Sequence, residues 1–219
     1  MKTTESSQLV NIPAGPVNLE GMLELPADAS GIVLFAHGSG SSRLSPRNNY
    51  VARVLRDAGL GTLLIDLLTR QEDMDYATRF DIPLLTRRLL DTTRWLRHEE
   101  RTESLAIGYF GASTGAAAAL QAAAAEGGKI AAVVSRGGRP DLAGEDALGR
   151  VAAPTLLIVG GFDDVVIGLN QAAYRLLKCE KELVIVPGAT HLFEEPGTLE
   201  QVAKHAANWF SQRLSDKAA

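Results

Sequence analysis

Six short runs of aliphatic and β-branched residues follow residue 30 and alternate with helical patterns. The runs are GIVLFAHG at 31–38, GTLLIDLL at 61–68, LAIGYFG at 105–111, IAAVVS at 130–135, PTLLIVG at 154–160 and ELVIVP at 182–187. A strand that is apolar throughout, rather than alternating, is covered on both faces. A helix between successive strands is the crossover that parallel pairing requires. Helices are expected near 47–58, 79–100, 114–126, 166–178 and 197–214. Before residue 30, Gln8–Ile12 and Val17–Leu25 alternate in polarity around the turn Pro13-Ala14-Gly15-Pro16, which reads as an antiparallel hairpin at a sheet edge. The expectation is an open α/β sheet of about eight strands, mostly parallel, with helices on both faces.

The 219 residues suit one domain, 1–219. Arg136–Val151 is polar, short and broken by Gly137, Gly138, Pro140 and Gly144, with room for one helical turn but not for a lid domain. A net charge of −4 without a basic run opposes nucleic-acid or membrane-surface partners. MKTTESSQLV lacks the apolar core of a leader, and the single cysteine, Cys179, excludes an internal disulfide, so a reducing cytoplasm is the expected setting.

The chemistry gathers where strands end. Gly111-Ala112-Ser113-Thr114-Gly115 joins a buried strand to an alanine-rich helix with no intervening loop. Serine caps helices well, so the pentapeptide alone is weak. In this context it matches a nucleophile elbow. Its glycines remove side chains that would collide at the bend, and its serine is raised over a helix N-terminus able to stabilise an oxyanion. Such a serine needs a base and an orienting carboxylate, in the chain order Ser, Asp, His. His37 lies before the serine and reads as a turn brace, His98 as a solvated helix end, and His205 as part of the last helix. His191, in VIVPGATHLFEEPG after the final strand, is the candidate base. The carboxylate is expected after the preceding strand, where LLIVGGFDDVV offers Asp163 and Asp164; residue chemistry leaves both open. FAHGSGSSR follows the first parallel strand and supplies an oxyanion loop. Thr114 is the expected first amide donor and Ser39 the second, with Gly40 as the alternative. No metal-ligand cluster or cofactor motif is apparent, and no cofactor is expected.

AHGSGSS at 36–42, GASTG at 111–115, GGFD at 160–163 and GATH at 188–191 resemble, over nearly the whole chain, the α/β-hydrolase superfamily and within it the lidless dienelactone hydrolase-like group. The resemblance selects Asp163, the fourth residue of its Gly-x-x-Asp stretch, over Asp164. It implies a catalytic Ser113, Asp163 and His191 acting on a small or short-acyl carboxylic ester. The dienelactone hydrolases proper carry cysteine at the elbow, so Ser113 points to the broader ester hydrolases of the group. Gly40, Arg43 and Arg136 are candidate substrate contacts, the arginines as binders of a substrate acid group. The plainer expectation is that Arg43, Arg47, Arg136 and Arg139 pair with Asp141, Glu194 or Glu195.

Overall fold

The computed structural model describes residues 6–215. The first five residues, which open the stretch read for a leader, and the last four lie outside it. In chain order the elements are β1 (Ser6–Ala14), β2 (Val17–Leu25), β3 (Ile32–Ala36), α1 (Pro46–Asp57), β4 (Gly61–Ile65), α2 (Ile82–Leu96), β5 (Ile107–Ala112), α3 (Thr114–Glu126), β6 (Ala132–Arg136), α4 (Glu145–Arg150), β7 (Thr155–Gly160), α5 (Asp164–Leu176), β8 (Lys181–Val186) and α6 (Thr198–Leu214). One sheet contains all eight strands in the order β1-β2-β4-β3-β5-β6-β7-β8. The pairs β1–β2 and β2–β4 are antiparallel and the remainder parallel, which places the hairpin at one edge as expected.

The pleat sorts each central strand between two cores. Leu34, Tyr109, Val133 and Leu157 face a layer that includes Leu89 of α2, Leu120 of α3, Leu148 of α4 and Ala173 of α5. Val33, Phe35, Phe110, Val134 and Ile158 face Val51 and Leu55 of α1 and Phe210 of α6. Alanine dominates α3 because that helix lies deepest, with ten of its thirteen residues buried.

Two helices start where their caps dictate. Ser45 accepts from the Asn48 amide ahead of α1, and Asp81 accepts from the Leu84 amide ahead of α2, each followed by proline in the first turn. The Asp81 cap corrects the expected start of α2 at 79, since Thr78–Phe80 forms a separate 3-10 turn. The 136–151 segment holds a 3-10 turn, Pro140–Ala143, and then α4, separated by Gly144 at φ 83°. Among the described residues, no helix is long and apolar enough to cross a membrane.

Candidate active site

Ser113 occupies the position before α3 that a capping serine would take, yet its side chain makes no capping bond. Its backbone stands at φ 50°, ψ −120°, a conformation that L-residues seldom adopt and that holds of order 1–3 kcal/mol of strain. Surrounding contacts impose it. The Ser113 amide donates to the Arg136 carbonyl (3.2 Å), and the Arg139 amide donates to the Ser113 carbonyl (3.1 Å), so the β6 exit loop grips the corner from both sides. Both elbow glycines are sterically required. A Cβ on Gly115 would lie 2.2 Å from the Ala36 carbonyl oxygen and 2.4 Å from that of His37, and one on Gly111 would lie 2.4 Å from the Ala116 Cα. The helix therefore begins against the end of β3, beside the Gly38–Gly40 loop.

The ends of β7 and β8 bring the acid and the imidazole together. The Gly161 amide donates to the Val186 carbonyl (2.8 Å) and the Phe162 amide to the Ala189 carbonyl (2.9 Å). A Cβ on Gly160 would sit 2.5 Å from the Ala189 oxygen, so only glycine admits this approach. Asp163 Oδ2 then lies 2.6 Å from His191 Nδ1. That contact fixes Nδ1–H as the donor and leaves Nε2 as the basic nitrogen. Asp164, the other candidate, is exposed as the first residue of α5. Glu195 accepts from the Thr190 amide (3.1 Å) and hydroxyl, bracing the loop just before His191. The ring reaches the elbow's side of the molecule: a Cβ on Gly137, adjacent to the carbonyl that holds Ser113, would lie 3.6 Å from His191 Cε1.

The oxyanion loop differs from expectation in one respect. The Ser39 amide donates to Thr114 Oγ1 (2.9 Å), so that hydroxyl already occupies the donor assigned to an oxyanion. Thr114 itself opens α3, where a first-turn amide has no helical acceptor. Gly40, at φ 68°, lies under Arg79, whose Nη1 would be 3.6 Å from its Cβ. Arg79, held by Asp73, and Leu68 close a recess of about 10 Å³ over His37–Gly40, roughly the room one water takes. The sequence signalled nothing of Arg79, because it arrives from the long β4–α2 connection.

The arginines separate clearly. Arg139 pairs with Asp141 (2.7 Å) and Arg47 with Glu194 (2.9 Å), as expected. Arg43 is held by Asp66 and by Glu20 (2.6 Å), which corrects its expected partners. Among the described residues, no carboxylate pairs with Arg136.

His37 braces the same loop. Its Nδ1–H donates to the Gly38 carbonyl (2.9 Å) and its Nε2 accepts from the Leu67 amide (3.0 Å). Burial pushes its pKa below the usual 6.5, despite that carbonyl and the nearby Asp66 and Asp73. The unfolded chain therefore binds a proton near pH 6.5 that the folded chain refuses. Stability is whole above that value and declines as pH falls below it, down to the depressed folded pKa. Thermal midpoints between about pH 5 and pH 6.5 should slope downward with acid, and less so in His37→Gln, whose amide oxygen still accepts from Leu67. Equal slopes would remove His37 from the account.

Residues 19–215 match the model of the dienelactone hydrolase family. A dienelactone hydrolase from Anabaena variabilis is 57% identical, with a TM-score of 0.93 over 96% of this chain and 99% of its own. Est1E from Butyrivibrio proteoclasticus is 17% identical with a TM-score of 0.81, over 96% of this chain and 100% of its own, a likeness of fold. A Mycobacterium tuberculosis protein named as a phosphoribosyl transferase is 61% identical over 205 residues, covering 94% of this chain and 46% of that protein. The chain thus spans about half the length of that relative.

Proposed function

Because the chain belongs to the dienelactone hydrolase family, we propose that it is a serine hydrolase of small carboxylic esters, working through Ser113, His191 and Asp163. The observation that carries this reading is Ser113 itself: a non-glycine residue strained at φ 50° whose hydroxyl caps nothing, at the corner where the β6 exit loop and the His191 loop meet. A serine kept only for capping has no need of that conformation.

The mechanism follows from the arrangement. His191 Nε2 takes the proton as Ser113 Oγ attacks the ester carbonyl, while Asp163 steadies the imidazolium through Nδ1–H. The Thr114 amide is the first oxyanion donor. The Ser39 amide is the second, released when the arriving oxygen displaces Thr114 Oγ1, so the hydroxyl keeps that donor aimed between turnovers. His191 then protonates the leaving alcohol, and water repeats the sequence on the acyl-enzyme. Phe162 and Leu192, exposed neighbours of Asp163 and His191 in the chain, would favour short acyl or aryl groups.

The phosphoribosyl transferase name belongs to proteins more than twice as long. We assign acyl transfer to the half represented here, which the dienelactone hydrolase family model matches over residues 19–215.

A panel of p-nitrophenyl esters from acetate to palmitate tests the reading, with turnover expected for the short chains and fading for the long ones. No turnover of any ester would refute it. Asp163→Asn should lower kcat by about 10⁴-fold through the wrong imidazole tautomer, whereas Asp164→Asn should change it less than about twofold. Comparable losses in the two variants would contradict the assignment of the acid.

A further inference from the structure

Helix α5 starts directly after Asp163 and buries three of its thirteen residues, Val166, Asn170 and Ala173. Their spacing puts them on one helix face. The middle one is a fully buried asparagine, where an aliphatic side chain would be the ordinary choice. Asn170 Nδ2 donates to the Gly138 carbonyl (3.0 Å) and to the Val166 carbonyl one turn back (2.8 Å). Both contacts are carbonyl oxygens, which a side-chain amide can meet only with its nitrogen. Its Oδ1 has no hydrogen-bond partner among the described residues. A buried acceptor left unpaired costs stability, so packing does not account for the residue.

The Gly138 carbonyl belongs to the same planar peptide as the Arg139 amide, and that amide donates to the Ser113 carbonyl (3.1 Å). One rigid unit thus joins Asn170 to the nucleophile: α5 holds its oxygen, and the Ser113 carbonyl accepts from its N–H. The unit needs holding. It follows Gly137, at φ 50°, and Gly138, where a Cβ would lie 2.0 Å from Ser135 Oγ, so neither residue has a side chain to resist a turn of the peptide. The other bond to Ser113, from its amide to the Arg136 carbonyl, comes from the end of β6 and is fixed by the sheet.

We propose that Asn170 is a positioning residue for the nucleophile: by pinning the Gly138–Arg139 peptide it holds Ser113 in its strained conformation and ties it to the helix that follows Asp163. The Asp163 carbonyl accepts from the Ile167 amide (2.8 Å), so the acid and the pinning amide share one helical body. The contribution to turnover rests on the serine-hydrolase reading; the pinned peptide does not.

Asn170→Leu keeps the branching of the side chain and removes the donor, which frees the peptide to turn away from Ser113. Two measurements on the full chain read the consequence. The first is amide hydrogen exchange. In Asn170→Leu the Arg139 amide should exchange about tenfold faster or more, while the Gly137 amide, bonded to the Ile158 carbonyl (2.8 Å), should keep its rate. An unchanged rate at Arg139, or equal acceleration at both amides, would overturn the pinning.

The second is kcat and KM on p-nitrophenyl acetate. Asn170→Leu should lower kcat about 30-fold or more and leave KM within about threefold, because the nucleophile is misplaced while the ester still binds. Ala173→Gly loosens the same face of α5 without touching the amide, and should change kcat less than about twofold. Equal losses of kcat in the two variants, or a loss confined to KM, would overturn the positioning role. Should Asn170→Leu fail to fold, Asn170→Ala, which adds no bulk, carries the same measurements with the same expected results. If the unaltered protein cleaves no ester while exchange at Arg139 accelerates in the variant, the hydrolase reading fails and the pinned peptide stands.

Discussion

Ser113→Ala is expected to lower kcat on short-chain esters by about 10⁴-fold or more, while leaving the thermal midpoint nearly unchanged. The pairing of these two effects is the informative part. A serine serving as a helix cap would behave in the opposite way, losing about 1 kcal/mol of stability with little change in turnover. No cap is lost here, because the Ser113 hydroxyl makes no capping bond, in contrast to Ser45 and Asp81. Ser113→Gly sharpens the test. Glycine tolerates φ 50° freely, so that variant should be as inactive as alanine yet more stable, by about 1 kcal/mol or more. Activity retained in Ser113→Ala, measured with the p-nitrophenyl panel, would mean the nucleophile lies elsewhere.

The second large effect is structural. Gly115→Ala should destabilise the protein by about 4 kcal/mol or prevent folding, because the added methyl would lie 2.2 Å and 2.4 Å from two backbone carbonyl oxygens. Neither oxygen can swing aside as the tip of a side chain would. Relief requires α3 to move away from β3, which would carry Ser113 and Thr114 out of register with the Ser39 loop. Gly168→Ala provides the contrast: it lies inside α5 with nothing within 4 Å of its Cβ position. That change should instead stabilise by about 1 kcal/mol, the helix-propensity gain alone. Denaturant midpoints of the two variants measure both, and similar midpoints would show that the corner can give way.

How far the chain announced this structure depends on the range of the interactions involved. The order of strands and helices was legible because burial on both faces writes continuous apolar runs, and crossovers write helical periods between them. The corner at Ser113 and the loops at Asp163 and His191 were legible for a related reason: in such a sheet, loops after the strands converge at one end, whatever their sequence separation. The start of α2 was misjudged by three residues, since Thr78–Phe80 reads as helical until the Asp81 cap is recognised. Charge pairing was less legible still. Arg43 meets Asp66 and Glu20 across the hairpin side of the sheet, and no local pattern distinguishes it from Arg136, which meets no acid among the described residues. The bond between the Ser39 amide and Thr114 Oγ1 spans 75 residues and depends on how closely Gly115 lets α3 approach β3. Those are properties of the assembled sheet rather than of any segment.

The central claim is that one hydroxyl in this chain is made nucleophilic by an imidazole that a carboxylate holds in place. Labelling with a fluorophosphonate, followed by peptide mass mapping, addresses it most directly. The account predicts a single adduct on Ser113, formed at least a hundredfold more slowly in His191→Ala. An adduct on another residue, or labelling of Ser113 at the same rate without His191, would contradict it.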